Sequence, residues 1–160
     1  MIRHRCSSFE QNQYQSAMDA FHSRAHCAVM HSHQLESSME RSLLSVVDDD
    51  ESVRESLPDL LREFGFAARA FSSAEEFLSS VYLDQTRCLI LDVAMPGMSG
   101  LDLQLELKRR DKEIPVIFMT GQKDEDIQKY AFRQGAVRFL YKPFSDSVLL
   151  DAVNAALSTK

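Results

Sequence analysis

Short apolar runs alternate with longer stretches of helical pattern from residue 41 onwards. The helical patterns cover roughly residues 52–64, 73–83, 100–110, 124–134 and 145–157. The apolar runs read LLSVV, AARAF, CLILDV, IPVIFM and VRFLY, at residues 43–47, 67–71, 88–93, 114–119 and 137–141. Apolar runs of this length, bounded by turn-forming residues, are typical of buried β-strands. The pattern therefore predicts five strands that alternate with five helices.

Residues that start or stop helices stand at the ends of several of these patterns. Ser73, with Glu76 three residues later, predicts an N-terminal capping box. Gly65 and Gly135 follow the ends of two helical patterns, where a left-handed backbone conformation is common. Pro58 falls inside the first helical pattern, and because a proline there lacks the backbone donor, it predicts a kink.

Strands that alternate with helices form parallel sheets, because each helix returns the chain to the start of the next strand. We therefore expect an α/β fold, a flavodoxin-like doubly wound sheet of five parallel strands with helices on both faces. For the strand order we adopt the common doubly wound arrangement, 2-1-3-4-5. In that order the functional crevice lies beyond the carboxyl ends of strands 1 and 3.

The first 40 residues differ in composition from the rest of the chain. All five histidines precede residue 40, whereas all five glycines and all four prolines follow it. We predict an N-terminal extension over residues 1–40, disordered or partly helical, and a folded domain over residues 41–160. His22 and His26, with Cys27 beside them, resemble a metal pair, but no third ligand has a firm spacing, so a solvated tail is the preferred interpretation. Met39 would also be an ordinary start for the folded domain, so an upstream start assigned too early is an alternative origin of the extension.

Net charge and hydropathy exclude several classes of protein. The formal net charge of −6 gives no indication of nucleic-acid binding. No apolar run reaches the roughly 18 residues of a membrane span, and the N-terminus lacks a signal peptide's apolar stretch. The three cysteines have no CxxC spacing, which argues against a disulfide framework or a zinc site. We therefore expect a cytoplasmic protein that binds neither membrane nor, by this chain alone, DNA.

Acidic residues crowd the end of the first predicted strand. Asp48, Asp49 and Asp50 follow it in the stretch VVDDDE, and Asp92 stands at the end of the third strand. Carboxylates packed this closely repel one another unless a cation or hydrogen-bond donors compensate them. Asp50 and Glu51 have an alternative role, because acids also favour the first turn of a following helix. The predicted topology nevertheless brings the first acids beside Asp92 and so indicates a cation site.

Two further polar residues end the remaining strands. Thr120 closes the fourth strand in FMTG, and Lys142 follows the fifth in LYKPF. Taken alone, Thr120 could begin a turn and Lys142 could be a solvated charge. Functional residues at the carboxyl ends of strands 1, 3, 4 and 5 together, however, are the pattern expected of a site in a doubly wound sheet.

Four stretches resemble the receiver domain of bacterial two-component response regulators, and their sequences are most similar to the FixJ-type subgroup. They are VVDDDESVRESL, LDVAMPGMSGLDL, VIFMTG and GAVRFLYKPF, and the resemblance covers about residues 41–158. By this resemblance Asp92 is the phosphoacceptor. The resemblance also implies that Asp48, Asp49, Asp92 and the backbone carbonyl of Ala94 hold Mg²⁺.

The same resemblance implies a switch. Thr120 and Lys142 would contact the phosphoryl group, and Pro143 would follow a cis peptide bond. Phe139 would be the switch aromatic, rotating inward when Thr120 moves towards the phosphoryl group. The surface formed by the fourth helix and fifth strand would change as a result, which is a population shift between two states.

The implied function is that of a phosphoacceptor for a sensor histidine kinase, which signals through protein contacts and is not an enzyme acting on a separate substrate. FixJ-type receivers dimerise when phosphorylated, so we expect homodimer contacts through the fourth helix and fifth strand, at Ile127, Tyr130, Ala131 and Arg138. Two alternatives stay open: a non-phosphorylated adaptor of receiver fold, and a truncated FixJ-type transcriptional regulator without its DNA-binding domain.

Overall fold

The structure, a computed structural model, describes residues 41–159. The predictions for the N-terminal extension, including the histidine pair and Met39, lie outside these residues. In chain order the elements are β1 (Leu43–Val47), α1 (Glu51–Glu63), β2 (Ala67–Phe71), α2 (Ala74–Leu78), β3 (Thr86–Asp92), α3 (Gly100–Arg109), β4 (Val116–Thr120), α4 (Glu125–Arg133), β5 (Arg138–Tyr141) and α5 (Asp146–Leu157). A 3-10 helix at Leu83–Gln85 precedes β3.

The five strands form one parallel sheet in the order β2-β1-β3-β4-β5, which confirms the expected topology. Strand β2 lies on one side of β1, and the next strand in the chain, β3, lies on the other side of β1. The connections that leave β1 and β3 therefore diverge and open a crevice at their carboxyl ends. In the sheet register Val47 lies beside Leu91, so the residues that follow them are neighbours.

Both faces of the sheet are covered, because consecutive side chains of a strand point to opposite sides. Val46 packs on one face with Leu61 of α1 and Val153 of α5. Val47 packs on the other face with Leu103 of α3 and with residues of α2 and α4. Strands buried on both faces need continuous apolar runs, which is the pattern that the sequence has. None of the helices within residues 41–159 combines the length and the apolar character that a membrane span needs.

The second helix is shorter than predicted. The pattern indicated residues 73–83, but α2 ends at Leu78. The Ser79 and Ser80 hydroxyls donate hydrogen bonds to the carbonyls of Glu75 and Phe77, both at 2.8 Å. Serine hydroxyls that bond to nearby backbone in this way compete with continuation of a helix. The prediction therefore failed where two consecutive serines end the helix.

Two strands also begin two residues away from the start of their apolar runs. β3 begins at Thr86, two residues before the apolar run at residue 88, and β4 begins at Val116 rather than at residue 114. Pro115 explains the later start, because proline has no backbone donor for a sheet ladder. Its carbonyl still accepts a hydrogen bond from the Leu89 amide at 2.9 Å, so the sheet contact begins one residue before the strand.

The predicted helix ends are mostly correct. Ser73 is the N-cap of α2 and accepts a hydrogen bond from the Glu76 amide at 3.1 Å. The Glu76 carboxylate, however, accepts from the amide and hydroxyl of Ser72, so only one half of the predicted capping box forms. Gly65 and Gly135 have φ values of +91° and +92°, as expected for residues that follow a helix.

Pro58 lies within α1, which continues from Glu51 to Glu63 without interruption. The proline is buried with Leu57 and Leu61 on the side of α1 that faces the sheet. Its ring thus adds apolar surface to the core, and the missing donor does not divide the helix.

Candidate functional site

Two aspartates stand side by side at the carboxyl end of the sheet. Asp48 directly follows β1, and Asp92 is the last residue of the adjacent strand β3. Their side chains are only 1% and 9% exposed, because both strands are covered on both faces. One carboxylate oxygen from each of Asp48, Asp49 and Asp92 lies within 4.8 Å of the other two. The predicted convergence of these three acids is therefore present.

Lys142 supplies a positive charge to this cluster. Its Nζ lies 2.7 Å from Oδ2 of Asp48 and 3.4 Å from Oδ1 of Asp92. The residue follows β5, and its backbone amide donates to the Thr120 carbonyl at 2.8 Å, which continues the sheet ladder towards the site. With its side chain 26% exposed and two carboxylate partners, Lys142 is not a solvated surface charge. The peptide bond between Lys142 and Pro143 is cis.

Burial and charge act in opposite directions on the protonation of these groups. Burial raises the pKa of Asp92, Lys142 lowers it, and the negative charges of Asp48 and Asp49 raise it, so that the net direction is upward. Burial lowers the pKa of Lys142, but its hydrogen bond with Asp48 and the charges of Asp48 and Asp92 outweigh burial and raise that pKa. Ionised Asp92 is thus less favourable than an exposed aspartate, and a second cation would stabilise it.

The acidic segment after β1 is held by hydrogen bonds of its own. The Asp50 amide donates to Oδ1 of Asp48 at 2.9 Å, and the Asp50 carboxylate accepts from the Ser52 amide at 2.9 Å as the N-cap of α1. Nη1 of Arg54 donates to the carbonyls of Asp48 and Asp49, at 3.0 and 2.7 Å. The helix-start interpretation is therefore right for Asp50, while Asp48 and Asp49 belong to the acidic cluster.

Thr120 ends β4 and is buried beside the same crevice. Its hydroxyl oxygen accepts a hydrogen bond from the Gln122 amide at 3.2 Å, which fits the alternative that Thr120 begins a turn. Among the described residues this is the only hydrogen bond of that hydroxyl, and the hydroxyl accepts it. The O–H of Thr120 can therefore still donate to an anion.

Phe139 lies in the core rather than on the surface. The residue is 8% exposed, and its ring centroid lies 6.0 Å from that of Phe118 and 5.5 Å from that of Tyr141. The resemblance implied that Phe139 turns inward on activation. Because Phe139 is already buried, an inward rotation from this position would bury little further surface.

The loop after β3 carries Ala94, whose carbonyl the resemblance makes a metal ligand. Ala94 is exposed and lies two residues after Asp92. Oε1 of Glu75, on α2, accepts a hydrogen bond from the Met98 amide in this loop at 3.1 Å. A Cβ atom on Gly100 would lie 2.2 Å from the Asp92 carbonyl oxygen, so only glycine allows α3 to begin this close to β3.

Sequence reasoning missed Arg54, Glu75 and Gly100. Arg54 stands one turn into the helix that follows the acids, and this spacing was the available signal for it. Gly100 ends the stretch PGMSG, which indicates a tight turn. The stretch does not indicate that Gly100 lies against the backbone of Asp92. Glu75 had no local signal, because its partner Met98 is 23 positions away.

The donor atoms suit a hard divalent cation. Carboxylate oxygens and a backbone carbonyl are ligands that Mg²⁺ prefers, and it usually retains several waters as well. Each carboxylate oxygen of Asp48 already accepts one hydrogen bond, from Asp50 or Lys142, and each retains a further lone pair. The residues present therefore fit Mg²⁺ without rearrangement of the sheet.

Comparison with known proteins identifies relatives of this domain. The family described as "Response regulator receiver domain" matches residues 44–154. Nodulation protein W of Bradyrhizobium diazoefficiens is 51% identical over 116 residues, which cover 72% of this chain and 51% of that protein. The transcriptional regulatory protein FixJ of Azorhizobium caulinodans is 46% identical over 113 residues, covering 70% of this chain and 53% of that protein. The crystal structure of FixJ-N has a TM-score of 0.69 and 37% identity, over 76% of this chain and 98% of that one. The chain spans about half the length of the curated relatives that it matches.

Proposed function

This chain belongs to the response regulator receiver family of two-component systems, and from that premise we propose that Asp92 accepts a phosphoryl group from a sensor histidine kinase. One observation carries the proposal: three carboxylates and one lysine converge at the carboxyl end of the sheet, with Asp92 among them. In the reaction a carboxylate oxygen of Asp92 forms a bond to phosphorus, and the bond from phosphorus to the donor histidine breaks. The product is an acyl phosphate that water can hydrolyse.

Asp48, Asp49, Asp92 and the Ala94 carbonyl would hold Mg²⁺. The bound ion would offset negative charge on the transferred oxygens, because phosphoryl transfer depends mainly on positioning and electrostatic stabilisation. Asp48 is held in place by Asp50 and Lys142, and Asp49 is exposed. The chain thus offers one rigid and one accessible carboxylate beside the phosphoacceptor.

Lys142 and Thr120 would bind the phosphoryl oxygens. Lys142 lies 3.4 Å from Asp92 and can follow the new negative charge while its contact with Asp48 relaxes. The O–H of Thr120 would donate to another phosphoryl oxygen, which would draw the loop after β4 towards Asp92. This contact exists only in the phosphorylated state, so it gives that state a differential stabilisation that can shift a conformational equilibrium.

The output would be a changed protein-binding surface on α4 and β5, used for homodimerisation. Tyr130 is 37% exposed, Arg138 is exposed and Ile127 is half-buried, so these side chains are available to a partner. Ala131 is fully buried, and its expected role as a direct contact is wrong. It faces the core, where it packs in the same cluster as Phe139, and could influence the surface only through that packing.

The two alternatives differ in whether they require phosphorylation of Asp92. A non-phosphorylated adaptor needs none of the acidic, threonine and lysine positions, and all of them are filled here. A transcriptional role would rest on the relatives named as transcriptional regulators, about half of whose length this chain spans. That role is compatible with phosphorylation at Asp92 and concerns only what the receiver controls.

The test is phosphorylation by acetyl phosphate with Mg²⁺ or EDTA, followed by intact-mass measurement. We expect one added phosphoryl group with Mg²⁺, none in EDTA, and none on Asp92→Asn. Asp111→Asn is the matched control, because Asp111 has a φ of +53°, which asparagine tolerates, and lies outside the acidic cluster. Sedimentation velocity with beryllofluoride would read out dimerisation. Equal labelling of wild type and Asp92→Asn would contradict the assignment.

A further inference from the structure

Arg54 is a cation that contacts the acidic segment but has no part in the proposed chemistry. It lies on α1, half-buried, six residues after Asp48 and five after Asp49. A single nitrogen, Nη1, donates to both backbone carbonyls, at 3.0 and 2.7 Å. The guanidinium therefore bonds to the backbone of two carboxylate residues of the cluster and not to their carboxylates.

These two bonds constrain the backbone of the segment that carries the carboxylates. Asp48 is fixed at its amide by the Phe71 carbonyl at 3.2 Å and at its side chain by Lys142 and the Asp50 amide. Among these contacts, only the bond from Arg54 holds the backbone of Asp49. Because the Asp49 side chain is exposed, the direction of its carboxylate depends on the backbone that carries it.

We propose that Arg54 is a positioning residue for the divalent cation: by holding the carbonyls of Asp48 and Asp49, it sets the direction of both carboxylates before the ion binds. The inference rests on the proposed function, since it concerns the same metal ligands. Partners that orient metal ligands commonly change metal affinity by about 10- to 100-fold when they are removed.

Position and charge predict opposite effects at this residue. A positive charge beside a cation site repels the cation, so if charge alone mattered, removing Arg54 would strengthen Mg²⁺ binding. If the two hydrogen bonds matter more, the same removal weakens Mg²⁺ binding. A lysine retains the charge, but its chain is one bond shorter and its ammonium is not held in a plane. The two roles are therefore separable with two substitutions.

Arg62 is a matched control on the same helix. Its Nη2 donates to the Ala68 carbonyl at 3.0 Å and its Nη1 pairs with Asp59, so it too is an arginine that holds backbone from α1. It lies outside the acidic cluster. A merely structural role for an arginine on α1 would affect Arg62 variants and Arg54 variants alike.

The experiment measures Mg²⁺ affinity by isothermal titration calorimetry of the full chain for wild type, Arg54→Met, Arg54→Lys, Arg62→Met and Arg62→Lys. Hydrogen exchange of the Asp50 amide and urea unfolding in EDTA are recorded for each. We expect Arg54→Met to bind Mg²⁺ about 10-fold more weakly than wild type. Arg54→Lys should also bind more weakly, and both should exchange the Asp50 amide faster. The Arg62 variants should keep wild-type affinity and exchange.

Two results would overturn the inference. One is an Arg54→Met variant that binds Mg²⁺ as tightly as wild type or more tightly. The two hydrogen bonds of Arg54 would then not contribute to Mg²⁺ affinity. The other is an equal loss of affinity in the Arg62 variants, which would make the effect one of general stability. A wild type that binds no Mg²⁺ would instead contradict the metal part of the proposed function, so the two failures are distinguishable.

Discussion

Strands β1 and β3 carry buried polar side chains at two places, and the two places differ in whether the polar groups are satisfied within the chain. In the interior, the hydroxyls of Ser45 and Thr86 are 2.7 Å apart, and Thr86 donates to the Tyr82 carbonyl at 2.7 Å. The Thr86 proton is thereby used, so Ser45 donates to Thr86. At the carboxyl end of the same strands, Asp48 and Asp92 share one lysine, with Asp49 close by. The interior pair is satisfied within the chain, whereas the acidic cluster carries more negative charge than its lysine neutralises.

The difference separates a structural polar site from a binding site. Buried hydroxyls that satisfy each other stabilise one arrangement and need nothing from outside. Buried carboxylates in excess of their cations destabilise the fold, and this excess negative charge favours the binding of a further cation. Three substitutions test the comparison, from the largest expected effect to the smallest.

Removing the cation of the acidic cluster should have the largest effect. In Lys142→Met, Asp48 is left buried without its ion-pair partner, so we expect a loss of about 3 kcal/mol in the free energy of unfolding in EDTA. The measurement is urea unfolding. Lys112→Met is the control, because Lys112 pairs with the exposed Asp84 and should lose no more than about 1 kcal/mol. A loss in Lys142→Met as small as in the control would mean that the cluster does not depend on its lysine.

Opening the interior pair should have an intermediate effect. Thr86→Val keeps the side-chain shape but leaves the Ser45 hydroxyl and the Tyr82 carbonyl without this partner, at a cost of about 1.5 kcal/mol by urea unfolding. Combining it with Ser45→Ala removes the orphaned donor as well. The double variant should therefore lose less than the sum of the single variants. Strict additivity would show that the two hydroxyls act independently, contrary to the comparison.

Neutralising Asp92, the proposed phosphoacceptor, should have the smallest effect and the opposite sign. Because the pKa of Asp92 is raised in the folded state, its ionised form destabilises the fold. We expect Asp92→Asn to be more stable than wild type by on the order of 1 kcal/mol at neutral pH in EDTA. That penalty is fully present above the folded pKa and is lost as the pH falls through it towards the unfolded value. The gain should thus shrink in acid, as followed by thermal unfolding at several pH values, and an Asn variant less stable than wild type at pH 7 would refute this explanation.

Most of the fold was predictable because its signals are local. Continuous apolar runs such as that of β3 mark strands buried on both faces, and glycines such as Gly65 mark helix ends. The end of α2 was not predictable from periodicity, since Ser79 and Ser80 stop the helix through hydroxyl contacts that the apolar pattern does not record.

The site was predictable as a set of residues but not as a geometry. Four strand ends carry Asp48, Asp92, Thr120 and Lys142, and the topology alone implies that they share one edge of the sheet. The spacing of Arg54 from the acids placed it near them but did not indicate what it binds, because its partners are backbone carbonyls, which every residue has. The burial of Phe139 and Ala131 likewise depends on how α4 packs over β4 and β5, and the expected direct contact at Ala131 assumed more exposure than that residue has.

By itself the sequence determined which polar residues lie near the strand ends, because apolar runs and helix caps are patterns of neighbouring residues. The tertiary structure alone decided which of them meet. Lys142 contacts Asp48 across 94 positions of the chain, since the parallel register of β1, β3, β4 and β5 sets their carboxyl ends at one edge. It also decided how the charges are balanced, because the burial that raises the pKa of Asp92 and the distances that join it to Lys142 exist only once the sheet is covered on both faces.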